Sequence, residues 1–502
     1  MMKKISLLKL AFAFLCVALL CLNACRKQED TANYDLVFVA LTEANTLMTL
    51  NANNPAAPLK KVDIVGLPSG ERLLGVDYRP ATGELYGIST ASRLYIVNAN
   101  TGATRVVGAA AFTPALNGTV VGFDFNPTVD RIRVVTNTGQ NLRLNPETGT
   151  VAATDAALNP GTPSVSEVAY TNNRAGVTTT TLYDIDVASD KLFIQNPPNN
   201  GTLVEVGALG VDAQGAVGFD ITDNDLALSA LTVGGKSELY VINLATGRAL
   251  KLGNFPFDSN IIGIAVSTQA VAYAVDAANN LQIFNPYDPQ PIAKPITGLQ
   301  AGENILGIDM RPVNGQLYGL GSTSRLYTIN MSSGAATVVG TAPFATALSG
   351  TEFGFDFNPT VDRIRVVSNT GQNLRLHPET GAIAAVDGAL NPATPSVSAA
   401  AYTNNFAGTT TTTLYVIDAN NKKLFIQNPP NNGTLQTVAD LRSPFAATNG
   451  FDIGSTSGRA FVVLNEEAST RLYQINLQNG ELSAAKNVNI VMPRGFALGL
   501  GF

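Results

Sequence analysis

Twenty-eight residues occur twice in this 502-residue chain, almost letter for letter, 232 positions apart. The first copy, Gly122 to Gly149, reads GFDFNPTVDRIRVVTNTGQNLRLNPETG. The second, Gly354 to Gly381, differs only in Ser368 for Thr136 and His377 for Asn145. Other stretches of the two copies have drifted much further apart. The parts of one duplication share an age, so uneven drift means uneven constraint. A chain built this way folds as a repeated architecture, in which each unit buries a face it cannot bury alone.

The repeat extends beyond that block. Leu74-Gly75-Val76-Asp77-Tyr78-Arg79-Pro80 returns as Leu306-Gly307-Ile308-Asp309-Met310-Arg311-Pro312, and Leu192 to Gly201 returns unchanged from Leu424 to Gly433. Inside each copy runs a shorter period. Gly-hydrophobic-Asp triplets open units near Gly75, Gly122, Gly218, Gly307, Gly354 and Gly450, with degenerate versions near Val168, Gly263 and Ala399. Their spacing of about 46 residues is close to that of a propeller blade. Between triplets, stretches such as Leu85 to Gly87, Leu94 to Asn98 and Thr104 to Gly108 read as short strands separated by Gly, Asn, Pro and Asp turns.

The expected fold class is therefore all-β, a β-propeller arranged as two tandem five-bladed rings. One continuous ten-bladed ring, or an open solenoid, is the alternative, but ten blades exceed the usual range of roughly four to eight. The first unit, from Leu36, lacks an opening strand that Ile261 to Val266 can supply, and Ala497 to Phe502 can do the same for the second half. This places a first propeller-like domain at 34–266, a linker at 267–270 and a second domain at 271–502.

The N-terminus reads as a targeting segment. Lys3 and Lys4 precede an apolar run from Ile5 to Leu20, too short and wrongly flanked to span a membrane. Leu22-Asn23-Ala24-Cys25 resembles the lipobox of bacterial lipoprotein signals, which implies a signal peptide over 1–24 and a lipid on Cys25. An ordinary secretory signal is the competing reading. Residues 25–33 form a charged tether, which is similar to surface-export signals of some diderm lipoproteins and equally fits a solvated linker. Cys16 and Cys21 leave with the signal, so no disulfide is expected.

From Asp124 and again from Asp356, the motif Asp-Phe-Asn-Pro-x-x-Asp-Arg-hydrophobic-Arg-Val-Val-x-Asn-x-Gly-Gln-Asn resembles the hallmark of domain of unknown function 4394, a bacterial family of secreted domains. The resemblance covers both halves. It implies that one half is a complete domain, and it implies no activity.

Net charge is −6, charged residues make up 14%, and no long basic run follows Lys27, which argues against a nucleic-acid partner. The single histidine, His377, has Asn145 as its counterpart. A Ser-His-Asp or Cys-His relay, or a zinc site of several histidines, would thus need residues the duplicate lacks. His377 reads as a loop residue beside Pro378, and no catalytic residue is expected.

Two candidate chemistries remain in the repeated block. Asp124, Asn126 and Asp130, with Asp356, Asn358 and Asp362, offer hard oxygens of the kind Ca2+ takes. Pro127 to Val129 interrupt the calcium-loop spacing, and an Asx-capped turn near Pro127 competes with that reading. Arg131, Arg133 and Arg143, with Arg363, Arg365 and Arg375, are the second group. Strand alternation puts Arg131 and Arg133 on the face opposite Ile132. Either Asp130 pairs with one of them across the sheets, or the arginines form a face around Asn137, Gln140 and Asn141, and in the second copy Asn369, Gln372 and Asn373. Such a face binds an anion or sugar through forked hydrogen bonds. Gln195 to Gly201 reads as a rigid, amide-rich hairpin tip.

The expected function is a lipid-anchored outer-membrane protein, on the periplasmic or surface face, that binds or scaffolds without catalysis. Its partners would be the membrane, through the lipid on Cys25, and an envelope glycan or protein. No cofactor is expected, Ca2+ being the one ion for which the residues offer ligands. A cation-assisted hydrolase or lyase using axial carboxylates is the alternative.

Overall fold

Leu85–Ser89, Leu94–Val97 and Thr104–Val107 are strands, and the same short, β-branched and aromatic segments recur along the whole chain. The third strand of several sheets ends in a turn held by an asparagine side chain. Asn98 Oδ1 accepts from the N–H groups of Asn100 and Thr101, and Asn145, Asn243, Asn330 and Asn476 repeat the device. The computed structural model describes residues 34–256, 259–393, 395–443, 445–466 and 469–502. The expected signal peptide, lipidated cysteine and tether lie outside them. The chain divides into two units, Met1–Leu36 and Val37–Phe502, and the strands all belong to the second.

The strands form ten four-stranded antiparallel sheets, five in each half. Among the described residues the helical pieces are two three-residue 3-10 turns, Pro198–Asn200 and Pro430–Asn432. No helix there is long and apolar enough to cross a membrane.

In the first half, five strands head or close the sheets: Leu73–Tyr78, Val121–Asn126, Val165–Tyr170, Gly218–Ile221 and Ile261–Val266. They pack on one another in that order, and Ile261–Val266 packs in turn on Leu73–Tyr78. The recurring glycine makes this approach possible. A Cβ at Gly218 would sit 2.7 Å from the Ile264 nitrogen, and one at Gly122 would sit 3.0 Å from that of Val168. Ile261–Val266 pairs with the far N-terminal strand Val37–Thr42, Phe38 opposite Val266 and Ala40 opposite Ile264.

The second half repeats the order with Ile305–Arg311, Phe353–Asn358, Val397–Tyr402, Ala447–Ile453 and Arg494–Leu498. Its last strand pairs with Ala272–Val275. That strand begins earlier than the expected Ala497 to Phe502, because the final residues turn away. Gly499 N–H donates to the Val271 carbonyl, and Gly501 N–H donates to the Thr82 carbonyl of the first half.

The core lies between adjacent sheets rather than within them. Phe123, Phe125, Ile132 and Val134 pack on Tyr86, Ile88 and Leu94 of the preceding sheet, with Tyr86 and Phe125 edge to face at 5.2 Å.

Candidate functional site

The residues that stayed constant since the duplication meet each other. Arg133, 2% exposed, lies on the strand Arg131–Thr136. Its Nη1 donates to Asn141 Oδ1 at 2.6 Å and to Asp155 Oδ2 at 2.7 Å. Its Nη2 reaches Asn199 Oδ1 at 2.9 Å, in the 3-10 turn of the next sheet. Asn141 Nδ2 donates to the Pro198 carbonyl, as does Gln195 Nε2. Arg143 binds both Asp155 oxygens at 2.8 Å. The unchanged block and the unchanged hairpin tip are thus two sides of one polar node between neighbouring sheets. In the second half, Arg365, Asn373, Asp387, Asn431 and Arg375 rebuild it. Burial acts to raise the Asp387 carboxyl, but hydrogen bonds and charge from Arg375 and Arg365 hold it below its ordinary range.

Asp130 pairs with neither Arg131 nor Arg133. Both its oxygens go to Arg79, at 2.9 and 2.5 Å, and Glu147 adds a third contact at 3.1 Å. Alternation along one strand indicates a face and cannot reveal that an arginine from the preceding sheet reaches the turn first. Arg311, Asp362 and Glu379 repeat these distances. Their exposure differs: Glu147 is 11% exposed and Glu379 66%. The first copy is covered by the second half, where Gly315 lies against Arg79 and Tyr273 Oη donates to the Ala81 carbonyl.

The remaining candidates are not gathered around the arginines. Asn137 Oδ1 accepts from Thr119 N–H, and Gln140 bridges Asn117 N–H and the Ala115 carbonyl. Asn369 and Gln372 do the same on the loop at 347–351. Half-buried Arg131 and Arg363 donate to the carbonyls of Asp130 and Asp362. Asn126 and Asn358 cap their turns, accepting from the N–H and hydroxyl groups of Thr128 and Thr360. Of the oxygens offered for Ca2+, those of Asn126 and Asp130, with Asn358 and Asp362, are thus engaged in turns and arginine pairs. His377, in the loop beside Pro378, accepts Glu379 N–H at Nδ1, as Asn145 Oδ1 accepts Glu147 N–H, so it caps a turn.

Asp124 belongs to a different cluster, one that the reading of single motifs missed. Asp77, Asp124 and Asp220, all buried, bring carboxylate oxygens within 4.8 Å of one another. Asp309, Asp356 and Asp452 do so in the second half. Each carboxylate accepts the backbone N–H one residue past its counterpart on the next strand: Phe125 for Asp77, Tyr170 for Asp124, Val266 for Asp220. The recurring Gly-x-Asp triplet was the visible signal, and only folding shows that its aspartates converge.

Burial pushes Asp77 and Asp124 well above the ordinary carboxylate range, and the neighbouring aspartates push them further. Asp220 and Asp452 are pushed up to about 7, chiefly by burial, against the opposing pull of backbone N–H groups. Such a cluster is suited to sharing protons. Three carboxylates would offer a cation three oxygens, fewer than the roughly six to eight calcium takes.

No curated protein matches the chain. Among solved structures it is similar to the extracellular domain of a one-component system from B. thetaiotaomicron, at 12% identity and a TM-score of 0.27, covering 92% of this chain and 67% of that one. It is also similar to PorZ of Porphyromonas gingivalis, a surface component of the type-IX secretion system, at 14% identity and a TM-score of 0.26, covering 88% and 65%. The family described as Domain of unknown function (DUF4394) matches residues 46–265 and again 280–497. The chain belongs to that family, in two tandem copies.

Proposed function

We propose that this chain is a non-catalytic binding or scaffolding module of the cell envelope, built as two tandem five-bladed propellers over 34–266 and 271–502 and held at the outer membrane by a lipid on Cys25. The cyclic packing order of the first strands in each half supports the two rings. In one ten-bladed ring, Ile261–Val266 would not return to Leu73–Tyr78.

The observation that carries the functional reading is that the best-retained side chains are used up on one another. Arg133, Asn141 and Asn199, like Arg79, Asp130 and Glu147, hold sheets together. The retained block is then the frame, and binding belongs to the more variable loops around it. Two similar rings on one tether would present a repeated or polymeric ligand, such as an envelope glycan or protein, with paired sites and raise avidity.

A cation-assisted hydrolase or lyase has one observation in its favour, the convergence of Asp77, Asp124 and Asp220. Their near-complete burial leaves a substrate no approach, which favours the binding reading. The test has two arms. Cys25→Ala is expected to move the protein from the membrane fraction to the soluble extract, and the wild type is expected to be retained on immobilised envelope glycan or protein. Unchanged fractionation removes the anchor. Failure to bind any envelope fraction removes the binding role.

A further inference from the structure

The two halves are internal controls for each other, and they differ at two buried carboxyls in one sheet. Asp184 sits opposite Val168 and Phe193, fully buried, and neither of its oxygens has a hydrogen-bond partner. Its counterpart is Val416, which packs with Val367, Val397, Tyr402 and Leu414. Glu167 replaces the recurring glycine of its strand, and its counterpart is Ala399. Its Oε1 accepts Phe123 N–H at 2.6 Å and Val168 N–H at 3.2 Å, beside the Asp77, Asp124 and Asp220 cluster.

We infer that the first half carries a pH-responsive sheet, from Val165 to Ala208, that its duplicate from Val397 to Asp440 lacks. Asp184 stands where the duplicate continues an apolar cluster, so its ionised form has no protein donor. The groups facing it are the Arg133 guanidinium from the neighbouring sheet and Asp186 on its own strand. Arg133 already serves Asp155, Asn141 and Asn199 and donates nothing to Asp184. Glu167 faces Asp124 and Asp220 from the two adjacent strands and Asp77 from one strand further on, and each ionisation there opposes the next. Burial favours the protonated form of both groups. As pH rises, both can ionise only by admitting water, which opens the sheet. The duplicate keeps the clustered aspartates, so any pH response they cause is common to both halves.

Hydrogen exchange on the full chain at pH 6 and pH 8, corrected for intrinsic rates, tests this. Amides of 182–195 are expected to open at least about tenfold more at pH 8 than at pH 6, relative to 414–427. The double variant Glu167→Ala, Asp184→Val gives the first sheet the duplicate's residues and is expected to abolish the difference. Asp184→Asn, which keeps the shape and cannot ionise, is expected to shrink it even if the double variant does not fold. Equal opening of both sheets, or a difference that is undiminished in Asp184→Asn, overturns the inference.

Discussion

Arg133 Nη2 donates to Asn199 Oδ1 at 2.9 Å across two neighbouring sheets, and 232 positions later Arg365 Nη2 donates to Asn431 Oδ1 at 2.8 Å. The two segments that kept their letters since the duplication are therefore the two ends of one contact. Mutual dependence across this contact is enough to keep both segments constant.

The buried Arg79–Asp130 pair and its more exposed copy Arg311–Asp362 should respond unequally to the same change. Arg79→Met strands a buried carboxylate and is expected to cost about 3–5 kcal/mol. Arg311→Met leaves Asp362 29% exposed, and water can replace the lost partner, so about 1–2 kcal/mol is expected. Urea denaturation of the two variants checks the ranking, and equal losses would show that the cover of the second half has no energetic effect.

The clustered aspartates should make the protein less stable as pH rises. Their folded pKa lies above the unfolded value near 4, reaching about 7 for Asp220 and Asp452, so the folded state binds more protons between those limits. Stability is full below pH of about 4 and is lost as pH climbs through 7, by at most about 1.4 kcal/mol per pH unit per group. The urea midpoint should be lower at pH 8 than at pH 5, and Asp220→Asn with Asp452→Asn should flatten the slope. A midpoint that rises with pH contradicts this.

Gly201 and Gly210 both have left-handed backbone, φ 64° and 77°, yet only one is confined. A Cβ at Gly201 would lie 2.4 Å from the Ala157 carbonyl oxygen, whereas at Gly210 it meets nothing. Gly210→Ala should cost about 1–2 kcal/mol for the conformation alone, and Gly201→Ala clearly more. Thermal melts of the pair decide it.

His377→Asn should change stability by less than about 0.5 kcal/mol, since Asn145 performs the same capping in the first half. A larger loss in calorimetry would mean that the imidazole has a task of its own.

Much of the architecture was legible because it is periodic. At Gly122, Gly218, Gly307, Gly354 and Gly450 the glycine of the Gly-x-Asp triplet marks where strands approach too closely for a Cβ, and the missing opening strand near Leu36 pointed to Ile261–Val266. What could not be read were contacts between sheets. Asp130 sits beside Arg131 and Arg133 in the chain, but Arg79 lies nearer in space. Asp77, Asp124 and Asp220 recur at a regular interval, yet only the packing of the first strands brings them within 4.8 Å.

The central claim is that the retained residues hold neighbouring sheets to each other, and a double-mutant cycle on Arg133→Gln and Asn199→Ala measures that directly. Measured by urea denaturation, the two substitutions should be non-additive by about 1–3 kcal/mol. Strict additivity, with each variant near wild-type stability, would contradict the account and return the arginine face to the role of a ligand site.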